Sequence, residues 1–554
     1  MSAPTVMNPA GFEISESHRR WLRWTIYIGY AALTAGVFHG LAQALAYAKI
    51  DILRFFPSLR GYYQGLTAHG VANVLTFTFA FANGFLPLLV ARALGRALDT
   101  RLLVAAFWTL LVGNLITIWA VTTNHASVLF TSYAPLQAHW TYYLGLALVV
   151  VSTWLAAANM FLTLARWRRE HRGERTPLLA FISVASYAMW VLASLPIAVL
   201  FLGLLLPWSL GLMAKTDPLL DRTLFWFTGH AIVYAWLLPA YVSWYALIPR
   251  QVGGKILSDS FTRIVFILFL LLSIPTGFHH QFTDPGIPVQ YKIMQGILTF
   301  GIVFPSFATA FSVIASLEMG GRARGGTGLL GWIPKLPWND PSVAAQLLAM
   351  LTFVLGGATG LINASFTMNQ LIHNTTWIPG HFHMTVGTAV ALSFMGIAYW
   401  LIPYLTGRGL WSRGLALASS WIYTIGTLIF ARGMISAGLE GMPRRIFRVA
   451  ATYDSPAWDL GGMLTAVGGT LMFFGIMLFF VDMAMTVAAG RKGEHPKDVP
   501  VSETLTVPQA SGWEVKLDRL GWWVVAAIVL IAIAYGPFFL SYVPRFISPG
   551  FRLF

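Results

Sequence analysis

The sequence has 554 residues, of which 57% are apolar and only 10% charged, with a net charge of +15 and no cysteine. A soluble globule has about a quarter of its residues charged, so this chain cannot cover its own surface with polar groups. Cytosolic enzymes, disordered scaffolds and secreted disulfide modules are excluded, which leaves an all-α polytopic membrane protein. Without cysteine, no disulfide, iron–sulfur cluster or thiolate-bound metal can form within the chain.

A helix needs about 20 apolar residues to cross a bilayer. Thirteen such runs stand between charged or Pro/Gly-rich breaks, near 22–48, 65–91, 102–122, 139–165, 177–206, 222–248, 261–280, 290–317, 343–371, 382–405, 411–436, 460–488 and 521–541. The first is too long for a signal peptide and lacks a small-residue cleavage site, so it reads as a retained anchor. No internal repeat is visible, and the one long polar linker is Arg491–Leu520. The expected organisation is a cytoplasmic segment over 1–21, a catalytic core of twelve spans over 22–488, a cytoplasmic loop over 489–520, and an additional span with tail over 521–554.

Charge placement predicts orientation. Loops on the N-terminal side of the membrane carry about twice the Lys and Arg of the opposite side, with the heaviest cluster at Arg166, Arg168, Arg169, Arg172 and Arg175. This places the N-terminus in the cytoplasm and the C-terminus outside. The basic balance is therefore a topology signal, and no nucleic-acid face is expected because no soluble surface gathers these charges.

Thirteen histidines are present. His18, His39, His125, His139, His171, His373 and His495 fall in polar ends, loops or isolated positions, where a solvated or locally bonded imidazole is the default. The other six share one depth. His69 lies near the start of the second span and His230 in the outer half of the sixth; His279 and His280 end the seventh, and His381 and His383 open the tenth. Ionisable groups inside a bilayer are costly and usually functional, and convergent imidazoles suit copper or iron.

Two positions along a helix turn about 200°, so His381 and His383 face opposite ways and can hold a metal on either side of one span. Two haems flanking that helix fit this spacing, with His69 as a second axial ligand to one of them. His230, His279 and His280 remain as three neutral imidazoles suited to copper. Tyr234 follows His230 by one turn on the same face. Tyr241 and Tyr245 continue that stripe for about 16 Å toward the cytoplasm. A row of buried phenols with intervening waters can carry protons. Ser306 and Thr309 on the eighth span can add hydroxyls, although hydrogen bonding to their own helix is the default for each alone.

Four segments resemble the signatures of subunit I of haem–copper oxygen reductases. They are Trp377-Ile378-Pro379-Gly380-His381-Phe382-His383, Gly277-Phe278-His279-His280-Gln281-Phe282, Thr228-Gly229-His230-Ala231-Ile232-Val233-Tyr234 and Tyr62-Tyr63-Gln64-Gly65-Leu66-Thr67-Ala68-His69-Gly70. The likeness covers essentially the whole chain. It is greatest to the B-type branch, the ba-type cytochrome c oxidases, which share the thirteenth span and the pattern from Trp226 to Tyr245.

The resemblance implies a terminal oxidase that reduces dioxygen to water with electrons from cytochrome c, taking up and pumping protons. It implies that His69 and His383 ligate a low-spin haem of b type, and His381 a high-spin haem of a type. His230, His279 and His280 would hold CuB, with Tyr234 covalently joined to His230 and donating an electron and a proton. Tyr241, Tyr245, Ser306 and Thr309 would line the proton path. Arg444 and Arg445 would pair with haem propionates, and Asp284, His373 and Asn374 would line the outer exit region. CuA is expected in a partner subunit II, beside a small accessory helix subunit, in the inner membrane of a prokaryotic cell.

Three positions depart from the wider superfamily. Ile232 stands where the A-type branch usually has a glutamate fed by a second proton channel, and Ala231 replaces its common proline. The second channel is therefore expected to be absent. Asn369 stands where close B-type relatives would carry an acid, which removes the usual basis for a proton-loading role there. A nitric-oxide reductase or a quinol oxidase of the same superfamily is an alternative. The first would add glutamates around its non-haem iron, and none accompanies His230, His279 or His280 within their spans. A metal-free proton-coupled transporter would show matching half-repeats and leaves the His-x-His spacing without a purpose.

Overall fold

The computed structural model describes residues 12–56, 61–506 and 512–547. Among these residues twelve helices are long and apolar enough to cross a membrane. In chain order the helices are α1 (Glu16–Tyr47), α2 (Tyr62–Leu94), α3 (Thr100–Thr122), α4 (Trp140–Glu170), α5 (Leu178–Ser209) and α6 (Pro218–Val252), then a shorter α7 (Asp259–Leu272). They continue as α8 (Val289–Ala323), α9 (Pro341–Ala364), α10 (Trp377–Thr406), α11 (Arg413–Leu439), α12 (Pro456–Ala489) and α13 (Leu520–Ile547). Parts of the expected N-terminal segment and C-terminal tail lie outside the described residues.

The expected crossing over 261–280 is only half α-helical. Its helix stops at Leu272, and the chain continues through a loose stretch to a single tight turn over Gly277–Gln281. Pro275 supplies no amide and Gly277 favours no helix, so an apolar run that looks continuous in sequence unwinds at its C-terminal end. The other helix boundaries follow local chemistry. Asp99, Asp217 and Asp340 each accept two main-chain amides at the starts of α3, α6 and α9, the last two followed by proline at the first helical position.

The helices nearest the centre are α2, α6 and α10, with 94%, 89% and 83% of their most apolar window buried, against 22% for α13. These three enclosed helices carry four of the six histidines grouped by depth. Around them α11 packs on α12, α3 on α4, α12 on α1, and α5 on α6. Close backbone approach makes the α11–α12 contact possible: a methyl on Gly433 would come within 2.6 Å of the Gly461 carbonyl.

Candidate metal centres

α2 and α10 each widen into a π-helical stretch just beyond their histidines, over Val71–Phe77 and Thr385–Val390. Such turns recur at functional sites because the extra residue rotates the side chains that follow it. The His69 and His383 rings face each other across the gap, 6.2 Å between centres and 12° from parallel. Imidazole nitrogens stand about 2.0–2.1 Å from a metal they bind, so the separation leaves space for one ion between the rings. His69 Nδ1 bonds the Gly36 carbonyl at 2.8 Å, and His383 Nδ1 the Pro379 carbonyl at 2.7 Å. A carbonyl only accepts, so both Nδ1 atoms carry the proton and both Nε2 atoms remain as ligand atoms. Gly40 fits tightly here; a methyl on it would come within 2.7 Å of the His69 ring.

His381 sits on the opposite side of α10 from His383, as the two-residue spacing requires. Its Nδ1 lies 3.0 Å from the Gly356 carbonyl and 2.9 Å from Thr359 Oγ1, both on α9. The same logic leaves Nε2 free.

His230, His279 and His280 form the one group of three or more metal-capable side chains among the described residues, with one ligand atom from each lying within 4.8 Å of the others. No carboxylate belongs to this group. His230 Nδ1 and His280 Nε2 are 3.3 Å apart. Two ligand atoms each about 2 Å from one ion at a tetrahedral angle have that spacing. His279 Nδ1 lies 2.9 Å from Thr299 Oγ1, whose own proton goes to the Gln295 carbonyl at 2.7 Å. Thr299 must therefore accept from His279, which leaves His279 Nε2 free. Trp226 lies flat on His280, 3.9 Å between ring centres and 9° from parallel, and fixes its plane. Tyr234 stands edge-on to His230 at 5.2 Å. His230 Nε2 is buried without a hydrogen-bond partner.

A single cavity of about 640 Å³ is lined by all six histidines and by Tyr234, Arg444 and Arg445. The size suits a large organic cofactor. Its walls are mostly apolar, and the end at Arg444 and Arg445 is basic. Burial and the neighbouring Arg445 charge pull the Arg444 guanidinium down to about 9, and no carboxylate stands against either arginine among the described residues. Such a pair calls for anionic groups, and carboxylates of a cofactor fit it.

The rest of the basic end is built from two loops stitched together. Arg444 N–H donates to the Asn374 carbonyl at 2.8 Å, and Thr376 N–H to the Met442 carbonyl at 2.8 Å. Asn374 has φ of +61°, a left-handed value that asparagine tolerates. Asp284 is held by both arms of Arg222, at 2.9 and 2.7 Å, and Arg222 lies over the Tyr133 ring. His373 Nδ1 bonds Asn369 Oδ1 at 3.0 Å.

Below the histidine group, Tyr241 and Tyr245 are fully buried on α6. Tyr245 Oη donates to Thr309 Oγ1 at 3.2 Å, while Tyr241 faces Ser306 without a direct hydrogen bond. Ser306 and Thr309 also donate to the Ile302 and Pro305 carbonyls of their own helix, as isolated residues of these types do.

Sequence reasoning missed Arg222, the partner of Asp284. It also missed Lys292, a buried ammonium that donates to the Phe282 and Asp284 carbonyls at 2.9 and 2.6 Å. A lone lysine inside the apolar run over 290–317 was the available signal.

Comparisons with known proteins show the family and the fold of the chain. A family model described as Cytochrome C and Quinol oxidase polypeptide I matches residues 20–471. Cytochrome c oxidase subunit 1 of Thermus thermophilus is 41% identical over 520 residues, which is 92% of this chain and 92% of that protein. Cytochrome c oxidase polypeptide 1 of Halobacterium salinarum is 26% identical over 89% of this chain and 84% of its own length. A solved haem–copper terminal oxidase dimer superposes with a TM-score of 0.90 at 35% identity, covering 95% of this chain and 92% of that one.

Proposed function

As a member of the cytochrome c and quinol oxidase polypeptide I family, this chain is the multi-pass catalytic subunit of a haem–copper terminal oxidase, and we propose that its three-histidine group holds CuB opposite a haem carried by His381. The family implies haem and copper, and a membrane complex with further subunits. The observation that carries the finer reading is the group of His230, His279 and His280 lining the same cavity as His381. When bound, the high-spin haem and CuB supply the redox chemistry that takes dioxygen to two waters with four electrons and four protons.

The chain's own residues do the rest. His69 and His383 hold the low-spin haem, of b type, through Nε2, each ring oriented by a main-chain carbonyl. His381 holds the high-spin haem, of a type, from the other face of α10. One helix would thereby supply a ligand to each haem. Arg444 and Arg445 bind propionates at the outer end. His230 would ligate through Nδ1, which leaves the partnerless Nε2 as the atom for a bond to the Tyr234 ring, formed with loss of the Nε2 and ring hydrogens in a two-electron oxidation for which dioxygen, the substrate, is the oxidant. Tyr234 then stands at the reacting centre to give a proton and an electron. Tyr245 and Thr309, followed by Ser306 and Tyr241, relay protons toward Tyr234 along α6 and α8. Asp284, His373 and Asn374 line the exit on the other side, and the apolar cavity wall keeps bulk water from the centre.

Electrons enter from cytochrome c through CuA in a partner subunit II; with no cysteine, this chain has no thiolate to hold CuA itself. The complex, with a small accessory helix subunit, sits in a prokaryotic inner membrane, N-terminus inside and C-terminus outside, and pumps protons. The absence of a carboxylate from the three-histidine group favours copper over non-haem iron, and hence dioxygen over nitric oxide. The test is the metal and pigment content of the purified complex. Two haems for this chain, with one copper that survives removal of subunit II, is the expected result. A non-haem iron in place of that copper, or protein without pigment, overturns it.

A further inference from the structure

The stretch from Ser273 to Gln281 carries His279 and His280 after α7 has stopped. Its peptide groups lie in the protein interior without an intact helix to satisfy them, a situation membrane proteins tolerate only where other groups supply the hydrogen bonds. Two of those groups come through α13, the last and most exposed helix. Tyr535 Oη accepts from Gly277 N–H at 3.0 Å and donates to the Ile274 carbonyl at 3.3 Å, joining the two ends of the break. Gln295 on α8 accepts from Phe278 N–H at 2.8 Å and donates to the Ala534 carbonyl at 3.3 Å.

Everything around this hydroxyl is tight. Tyr535 is 2% exposed, on a helix whose buried face is a narrow stripe of Leu520, Ala527, Ala534, Tyr535, Phe538 and Tyr542. Its ring stacks on Phe227 at 4.0 Å and meets the Phe278 edge at 5.3 Å. A methyl on Gly277 would collide with the Tyr535 hydroxyl and the Trp226 carbonyl. Trp226 is the ring that lies on His280. The copper-side histidines thus hang from a backbone segment whose conformation is set on one side by Trp226 and on the other by Tyr535.

We infer that α13 is a positioning element for the copper site, with Tyr535 as its positioning residue: its hydroxyl holds the unwound end of α7 so that His279 and His280 meet His230. This rests on the reading of that group as the CuB site. Only 22% of the most apolar window of α13 is buried within the chain, and Tyr535 belongs to that buried part. Deleting only the hydroxyl leaves Gly277 N–H without a partner and the Ile274 carbonyl with the Thr276 N–H alone, so the two ends of the break are no longer joined and the segment relaxes toward another arrangement. The low-spin haem, held by α2 and α10, is not touched.

The experiment compares wild type, Tyr535→Phe, Gln295→Met and the outward-facing Leu540→Ala in the complete complex. Three quantities are read: copper per two haems, the rate of copper loss to a chelator, and the infrared stretch of carbon monoxide resting on copper after photolysis. Tyr535→Phe and Gln295→Met are each expected to lose copper about tenfold faster, with a broadened copper–carbonyl band and an unchanged low-spin haem spectrum. Leu540→Ala should match wild type. Wild-type copper retention and band shape in both Tyr535→Phe and Gln295→Met overturn the inference. Parallel loss of both haems with the copper also overturns it, because that is general unfolding. Gln295→Met decides the question if Tyr535→Phe does not assemble. Wild type without this copper would instead be a failure of the oxidase reading itself.

Discussion

His69 on α2 and His383 on α10 face each other at 6.2 Å, nearly parallel, each with Nδ1 tied to a main-chain carbonyl. The pairing fixes which ring nitrogen points into the gap and how each ring is turned. On the proposed assignment, replacing His69 by alanine removes one of the two rings that would hold the low-spin haem and leaves α10 intact. The expected result is loss of the low-spin haem band from the optical spectrum, with the copper retained. Turnover with cytochrome c should fall by at least about 100-fold, since even outer-shell changes at metal sites cost 10–100-fold. A variant that keeps its low-spin spectrum contradicts the assignment.

Thr299 offers a sharper probe of the copper side. Its proton is committed to the Gln295 carbonyl, so it can only accept from His279 Nδ1. Thr299→Val keeps the shape and removes the acceptor, which frees His279 to adopt the other tautomer. Copper affinity is expected to fall about 10–100-fold, measured by competition with a chelator, at constant haem content.

The hydroxyl row on α6 predicts a different signature. Tyr245→Phe breaks the bond to Thr309 and interrupts proton delivery without touching a metal ligand. Steady-state oxygen consumption should drop by about 100-fold, while both haem spectra and reduction by the donor stay normal. The stability change should be no more than about 1 kcal/mol, the net value of one hydrogen bond. Slow reduction of the haems in this variant would move the defect from protons to electrons and sink the relay.

Much of this was legible in the sequence. The histidine depths and the two-residue spacing of His381 and His383 follow from helix geometry, because a helix converts sequence separation directly into direction. The unwinding after Leu272 was not legible, since hydropathy is blind to where an apolar run stops being helical; only Pro275 and Gly277 hinted at it. Arg222, Lys292 and Tyr535 escaped for a related reason. Each acts through main-chain groups or a single carboxylate far away in sequence, and nothing local to the residue announces a partner 8 to 261 positions distant. Thr299 also escaped, although it lies one helical turn beyond Gln295.

Asn369 is where the chain departs from the acid expected in close relatives, and the structure shows what the amide does. Asn369 Nδ2 donates to the main-chain and side-chain oxygens of Asn363 at 2.7 and 2.9 Å, which turns Oδ1 toward His373 Nδ1. The imidazole is thereby held as a donor. Burial, with the Arg444 charge beside it, brings His373 down from 6.5 to about 4. The native protein therefore takes up this proton later than the unfolded chain does. Stability is unaffected above pH 6.5 and declines as pH falls from 6.5 to about 4, where the unfolded state binds more protons. Asn369→Asp puts a titratable oxygen at the same place. Ionised, it favours the imidazolium; the two groups then titrate as a pair at higher pH than His373 alone. The variant should bind more protons than wild type between pH 4 and 6.5, read by potentiometric titration of the purified complex. The acid-side loss of stability in thermal melts should correspondingly shift to lower pH. Identical titration curves would show that His373 does not sense residue 369.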